Sequence, residues 1–314
     1  MFGLRTPRSK ADALVREVED ALGTCTAVAA LRERPEDPAV LDLVVSGLRA
    51  QADLVGGSDD PADLADAEAI EGLERRIVAR RLALVGIDPR ELRRRSLAEL
   101  AHAGLAPSER RAPSVLDAAA GARRSADDAG TRVRALLAVL HVVHGARALD
   151  VGRSLERRGL VPWTTPQERA FLKLQATRPA DDRELAAHRA WIGRRVEGLH
   201  ALGWALGLVP DLLATGFSAV RPDAFAPVGP GEAADTPVGL RLRPEAELLA
   251  RLDVLTCAHA ALQERELRGG AAPLPADVVP GAIAERRRAL EWLLSRDSWD
   301  AIDVEAEIRA ERRA

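Results

Sequence analysis

Arg195, His259 and Arg286 each continue an apolar stripe on a predicted helix. Arg195 is in helical phase with Leu199, and His259 is in phase with Leu255. Residues three or four positions apart share one face of an α-helix, so all three polar groups should point into the protein. Burying a charge without a partner is strongly unfavourable. The sequence therefore predicts that these side chains meet counter-charges in the interior.

Glu197 and Glu285 are the natural counter-charges, because each lies on the same predicted helix as one of the arginines. We refer to the following five residues as the predicted cluster: Arg195, Glu197, His259, Glu285 and Arg286. Our first interpretation is an internal salt-bridge cluster that fixes how the helices align. The alternative is a site in which the two arginines hold an anionic ligand and the histidine acts as acid or base.

Other reactive residues have spacings that do not complete a site. His141 and His144 could face one metal ion from one helix, but no HExxH-type spacing supplies further ligands, so no metal site is predicted. Cys257 and His259 lie on different sides of a helix, which disfavours a Cys–His nucleophile. The chain has no GxSxG elbow and no glycine-rich phosphate loop, and we predict no cofactor.

The predicted cluster needs a scaffold, and the clearest element is a central helix over about 182–208. Its apolar residues follow helical spacing, and its last turns carry a second apolar side, which is typical of a buried helix. The main stripe consists of Ile192, Val196, Leu199, Leu202 and Leu206. Gly198, Gly203 and Gly207 each cost roughly 1 kcal/mol relative to Ala inside a helix. We expect this to be offset by the close approach of a neighbouring helix.

The remaining elements are also predicted to be helical, so the fold class is an all-α bundle around the central helix. Thr165 and Glu168 have the spacing of a capping box, with Pro166 at the first helical position. Asp181 and Glu184 repeat that spacing before the central helix. No alternating strand pattern is sustained along the chain.

A turn-rich stretch, Gly-Gly-Ser-Asp-Asp-Pro, follows residue 55 and predicts a boundary. We accordingly expect a small helical unit over 1–56, a linker over 57–65 and a main domain over 66–314. Within the main domain, 108–130 and 217–242 are expected to be largely irregular, the first with at most a weak helix.

Composition excludes several classes of function. The 314-residue chain has a net charge of −3, which argues against a nucleic-acid partner. Arginine runs such as 93–95 are expected to be solvated helix faces, because arginine is favoured throughout: Lys10 and Lys173 are the only lysines. This bias, with no tyrosine and abundant alanine, is typical of a GC-rich bacterial genome.

The cysteines and the N-terminus bear on the compartment. Cys25 and Cys257 are far apart and lack CxxC partners, so neither a disulfide framework nor a zinc knuckle is predicted. The first residues contain no apolar signal segment. Charged residues interrupt the central helix before the roughly 18 apolar residues of a membrane span accumulate. We therefore expect a cytoplasmic protein without membrane insertion.

Several blocks of the chain resemble the bacterial family called domain of unknown function 4272. The family pattern Trp-Arg-x-Glu-Ala-Leu, ending in Leu-Trp-Ala-Leu-Gly-Leu, is matched by Arg195, Glu197, Leu199 and 204–208, with Arg194 in place of the first Trp. Its Leu-x-Pro-Glu-Glu-x-x-Phe-Leu element is similar to 165–172. Its Leu-His-Trp-Ala segment corresponds to His259 and Ala261, with Ala260 replacing Trp.

The C-terminal block of the family pattern, Asn-Pro-Gly-x-x-x-Glu-Arg-x-x-Ala-Leu-x-Trp-Leu, is similar to 279–293, with Val279 replacing Asn, and a Trp-Asp element follows at Trp299 and Asp300. The resemblance extends from about Glu68 to Glu305, roughly three-quarters of the chain. It implies no reaction, because the family has none assigned.

Three hypotheses for function remain open. The first is a non-catalytic accessory or regulatory protein that acts by binding another protein. The second is a binder of a small anion, or an enzyme, that uses the predicted cluster. The third is an immunity-type protein, which sequence cannot separate from the first. A cluster closed to solvent favours the first hypothesis, and an open pocket lined by its side chains favours the second.

Overall fold

The structure is a computed structural model in which residues 7–56, 60–105, 123–179, 182–220, 239–268, 274–295 and 298–302 are described. Of the residues that the structure describes, 73% are helical and none lies in a strand, which confirms the all-α class. Within that part, no helix is long and apolar enough to cross a membrane.

The described residues divide by packing into two units, one up to Arg94 and one from Arg95 onward. The first four helices belong to the first unit, and a fifth crosses the boundary: α1 Pro7–Leu22, α2 Thr26–Glu33, α3 Pro38–Gly56, α4 Pro61–Leu84 and α5 Pro89–His102. The second unit contains α6 Ala126–Val143, α7 Ala148–Arg157, a 3₁₀ turn Val161–Trp163, α8 Pro166–Thr177, α9 Arg183–Gly193, α10 Arg195–Ala205, α11 Glu245–Leu267 and α12 Pro280–Leu294.

In the first unit, α3 and α4 pack against each other along their apolar faces. Val44 and Leu48 of α3 are buried, as are Leu73 and Ile77 of α4. This shared core places α4 with the N-terminal helices, so the first unit extends beyond the boundary that we predicted at 57–65. The turn-rich sequence marks a connection between two packed helices, and its residues 57–59 lie outside the described part.

In the second unit, α10 packs between α6 and α12, and α12 also packs against α11. All of the residues of α10 are buried, which agrees with the two-sided apolar pattern of the sequence. The central helix is nevertheless shorter than the predicted 182–208. A tight turn, in which the Arg194 N–H bonds the Trp191 carbonyl, separates α9 from α10 next to Gly193, a poor helix former.

Capping side chains set the helix starts. The capping box between Thr165 and Glu168 is confirmed at the start of α8. The N-cap of α9 is Asp182, one residue later than predicted, and Asp181 lies outside the described residues. Ser125 and Asp128 form a further capping box, so α6 begins at Ala126 inside the predicted irregular segment 108–130, whose residues 108–122 are not described. The described ends of 217–242 are non-helical, as predicted, and 221–238 lie outside the description.

Two glycines, one within α10 and one just after it, are required for different structural reasons. A Cβ added at Gly198 would lie 2.8 Å from Cζ2 of Trp299, so the absence of a side chain makes room for an indole ring rather than for a helix backbone. Gly207 has a φ of +75° and follows the last residues of α10. There the Leu208 N–H bonds the Gly203 carbonyl, which is the Schellman arrangement that ends a helix.

We predict that Gly198→Ala is destabilising by about 1–3 kcal/mol, because the added methyl group overlaps the indole of Trp299 in a close-packed core. Gly152→Ala in α7 is the matched control, because a Cβ there meets nothing within 4 Å and alanine is the better helix former. The measurement is the free energy of unfolding in urea. Similar stability in both variants would show that Trp299 does not pack against α10 as described.

Candidate functional site

Six charged side chains from α6, α8, α10, α12 and the C-terminal turn form one group in the second unit. We call it the buried charge network, and it consists of Arg132, Glu168, Arg195, Glu285, Arg288 and Asp300. It contains three arginines and three carboxylates. The charges are balanced, as burial in a medium of low polarity requires.

Arg132 and Glu168 make the strongest contact of the network. Two parallel hydrogen bonds join the guanidinium to the carboxylate, at 2.7 and 2.6 Å, and both side chains are almost completely buried. Burial alone would raise the pKa of Glu168, but the charge and hydrogen bonds of Arg132 outweigh it, and the pKa is lowered. Glu168 also accepts from the Thr165 N–H, so the helix cap of α8 and the ion pair share one carboxylate.

Arg195 lies at the centre of the network with less complete pairing. It donates to Asp300 at 3.2 Å, whereas its Nη1 lies 3.7 Å from Oε2 of Glu285, beyond hydrogen-bonding distance. The ring of Trp191 lies 4.4 Å below the guanidinium. Burial lowers the pKa of Arg195, and the charges of Glu285 and Glu168 oppose that shift.

The network also ties the C-terminal turn to α12. Arg288 is ion-paired with Glu285 one turn away and donates to the Ile302 carbonyl at 3.0 Å. Asp300, in the same turn, accepts from Arg195. Oε2 of Glu285 and Oδ2 of Asp300 are buried and have no hydrogen-bond partner among the described residues.

Arg286 and Glu197 form a separate, fully buried ion pair beside the network. Arg286 Nε donates to Glu197 at 2.9 Å, and the other nitrogens of the guanidinium donate to carbonyls of the loop after α10, including those of Gly216 and Ser218. Glu197 also accepts from the Val220 N–H at 2.6 Å. Burial raises the pKa of Glu197, and Arg286 opposes it. The pair fixes the loop to the helices.

His259 is placed differently from the sequence prediction. Its Nδ1 lies 2.6 Å from Nη1 of Arg287, the residue that follows Arg286. A guanidinium can only donate, so Nδ1 is the acceptor and the imidazole is neutral with its proton on Nε2. Arg287 also donates to Glu291 at 2.7 Å. The histidine therefore holds α11 against α12.

The structure thus pairs Arg195 with Glu285 and Arg286 with Glu197, and places His259 against Arg287. Four further network residues were not identified from sequence: Arg132, Glu168, Arg288 and Asp300. Arg132 lies four residues before Leu136 and so continues an apolar stripe, and this position indicates that its side chain is buried. Arg288 belongs to a run of three arginines, all buried, and a run of like charges ordinarily indicates a solvated face.

The other reactive residues remain without a complete site. Burial lowers the pKa of His141, and the neighbouring His144 acts in the same direction. Among the residues that the structure describes, no group of three or more His, Cys, Asp or Glu side chains could hold a metal ion. Neither Cys25 nor Cys257 is in a disulfide within the described part of the chain, and Cys257 is buried.

A cavity of about 540 Å³ opens next to the buried charge network. Its wall includes three arginines and three tryptophans, namely Arg124, Arg132, Arg169, Trp163, Trp292 and Trp299. Thr165, Pro166 and Asp300 also line it. Arg132 and Asp300 therefore belong to both the network and the cavity, whereas the five residues of the predicted cluster are not part of its lining.

Cations and aromatic rings alternate along one wall of this cavity. The guanidinium of Arg124 lies 4.4 Å from the ring centre of Trp292, and that of Arg132 lies 4.4 Å from Trp299. The two indoles are 5.6 Å apart and tilted by 51°. Such cation–π contacts hold both arginines against the tryptophans.

Fold and site together define a class: an all-α protein with an arginine- and tryptophan-lined cavity above a charge-balanced buried network. The chain belongs to the family described as domain of unknown function (DUF4272), whose model matches residues 92–302. The match begins after the first four helices, so it covers the second unit rather than the stretch from about Glu68. No curated protein and no solved structure matches the chain.

We predict that Arg195→Met lowers stability by roughly 3–5 kcal/mol, because the half-buried Asp300 loses its cation and the buried Glu285 is left with Arg288 alone. Arg194→Met is the matched control: Arg194 is adjacent in sequence but exposed, so its replacement should change stability by less than about 0.5 kcal/mol. Denaturant unfolding of both variants makes the comparison. A small effect at both positions would exclude a structural role for the network.

Glu168 makes stability depend on acid pH. Its pKa is lowered from an ordinary value of 4.5, so the contribution of the ion pair is complete above about pH 4.5 and is lost as the pH falls through the lowered value. We expect Glu168→Gln to be destabilised near neutral pH and to lose less further stability on acidification than the parent chain. Glu156→Gln, at an exposed position of α7, should keep the parent's pH profile. Melting curves between pH 7 and 3 test this, and parallel profiles for all three proteins would contradict it.

Proposed function

We propose that this chain is an accessory protein that binds a small anionic ligand in the arginine- and tryptophan-lined cavity without transforming it. The observation that carries the proposal is the cavity itself. Its volume of about 540 Å³ lies within the range of small-molecule sites, and its wall combines aromatic surface with a few convergent charged groups.

The charges of the wall favour an anion. Three arginines and one aspartate line the cavity. Arg132 is neutralised by Glu168 and Asp300 by Arg195, so the excess of positive charge comes from arginines outside the network such as Arg169. Arg169 is exposed and uses only Nη1 in its contacts with Thr164, which leaves two nitrogens of the guanidinium for a ligand. Guanidinium groups suit carboxylates and phosphates because their donors form a planar fork.

The start of α8 also lines the cavity. Thr165 and Pro166 belong to the lining, and the Thr165 N–H is bound by the carboxylate of Glu168. Trp299 is 3% exposed, and its indole N–H has no acceptor among the described residues. This N–H is itself enclosed, so the arginines rather than Trp299 supply the donors at the cavity.

Binding rather than catalysis is supported by the position of the groups that could do chemistry. Arg195 and Arg286 are at most 1% exposed and are engaged with carboxylates or carbonyls. His259 contacts Arg287 on the packed faces of α11 and α12. The arginines of the predicted cluster are closed to solvent, which favours the accessory role over catalysis. The open cavity beside the buried charge network is where a ligand would bind.

The test is a titration with sodium benzoate, sodium acetate and sodium phosphate at constant ionic strength, followed by tryptophan fluorescence and by the melting temperature. We expect saturable binding of at least one of these anions. Arg169→Met should weaken it by roughly tenfold or more, the effect of losing a hydrogen bond to a charged group. Arg124→Met should weaken it in the same direction.

Arg183→Met is the control, because Arg183 is exposed on α9 and does not line the cavity. It should bind as tightly as the parent chain. The proposal fails if none of the three anions binds saturably, or if the Arg169 and Arg124 variants both bind as the parent does.

A further inference from the structure

The cavity is much larger and more apolar than an inorganic anion needs. A phosphate or acetate ion held by Arg169 would leave most of its volume and its tryptophan wall uncovered. Apolar surface contributes to binding only when the ligand covers it. The ligand should therefore have an apolar body as well as a negative charge.

The wall indicates the shape of that body. Trp163 is half-buried at the end of the 3₁₀ turn, and the fixed ring of Pro162 precedes it in the same turn. The backbone of Trp163 is fixed by a hydrogen bond, because Arg132 donates to the Trp163 carbonyl at 2.7 Å. Trp163 is thus a fixed flat surface at the cavity, unlike a flexible aliphatic side chain.

A second flat group at the cavity is the guanidinium of Arg124. Its Cζ lies 4.4 Å from the ring centre of Trp292, and unlike Arg132 this arginine is only partly buried. Both arginines also line the cavity. Planar groups stack on guanidinium and indole faces with a preference over non-planar groups of the same size.

We propose that the ligand is a planar aromatic anion. Its ring lies against Trp163 and the guanidinium of Arg124, and its charged group faces Arg169. This inference rests on the proposed function, because it names the class of ligand for the same cavity. A carboxylate and a phosphate ester share the required chemistry, and the experiment includes both.

The experiment compares benzoate with cyclohexanecarboxylate, which has the same charge and similar size but no flat ring. The full chain is titrated with each by isothermal calorimetry. We expect benzoate to bind about 3- to 10-fold more tightly, the size of a stacking contribution. Phenyl phosphate should exceed inorganic phosphate by a similar factor or more.

Trp163→Leu keeps an apolar side chain and removes the flat surface. It should abolish the preference for benzoate over cyclohexanecarboxylate, while Arg183→Met keeps that preference. A melting curve of each variant shows that it remains folded. If Trp163→Leu does not fold, Trp163→Phe takes its place, and the preference should then be retained in part.

The outcomes separate the two proposals. Equal affinity for benzoate and cyclohexanecarboxylate would overturn the aromatic class and leave the anion-binding function standing. Benzamide binding as tightly as benzoate would overturn both, because the charge would then have no role. No binding of any of these compounds would likewise overturn both.

Discussion

The second unit depends on the balance between three buried guanidiniums and three buried carboxylates. Each charge loses its hydration on burial, and only a partner of opposite sign offsets that loss. The partners come from helices that are distant in sequence: Arg132 on α6 pairs with Glu168 on α8, and Arg195 on α10 pairs with Asp300 in the C-terminal turn. Removing any one member leaves an uncompensated charge in the core. The network therefore fixes which helices pack together, although replacing it entirely with apolar side chains need not lower stability.

The ion pairs of the network differ in how closely their charged groups approach, and one tight pair lies beside the cavity. The contact between Arg132 and Glu168 has two short hydrogen bonds, whereas Arg195 reaches Glu285 only at 3.7 Å. The tight pair lies next to the aromatic wall of the cavity and holds Arg132 4.4 Å from the ring centre of Trp299. A rigid wall of this kind is already arranged before a ligand arrives, which reduces the entropy lost on binding. The structural role and the proposed binding role thus meet at Arg132, and they can be separated only through residues such as Arg169, which lines the cavity but lies outside the network.

The sequence by itself determined the class of fold and many of its local features. Helical spacing of apolar residues predicted the elements, Thr165 and Glu168 predicted the start of α8, and the two-sided apolar pattern predicted a buried α10. These features follow from contacts within a few residues, so they can be read from one chain. The phase of Arg195 and Arg286 on apolar stripes likewise indicated that both are buried, because helix geometry alone decides which residues share a face.

Only the tertiary structure decided the partners and the cavity. Phase shows that a side chain points inward, but not which of the inward residues from other helices it meets. His259 was therefore expected beside Arg195 and lies instead against Arg287, and Arg286–Arg288 diverge to three different partners because successive residues on a helix point about 100° apart. The cavity joins residues from Arg124 to Asp300, whose distances depend on how α6, α8 and α12 pack. Helix packing depends on the sum of many weak contacts, so no short sequence motif predicts it.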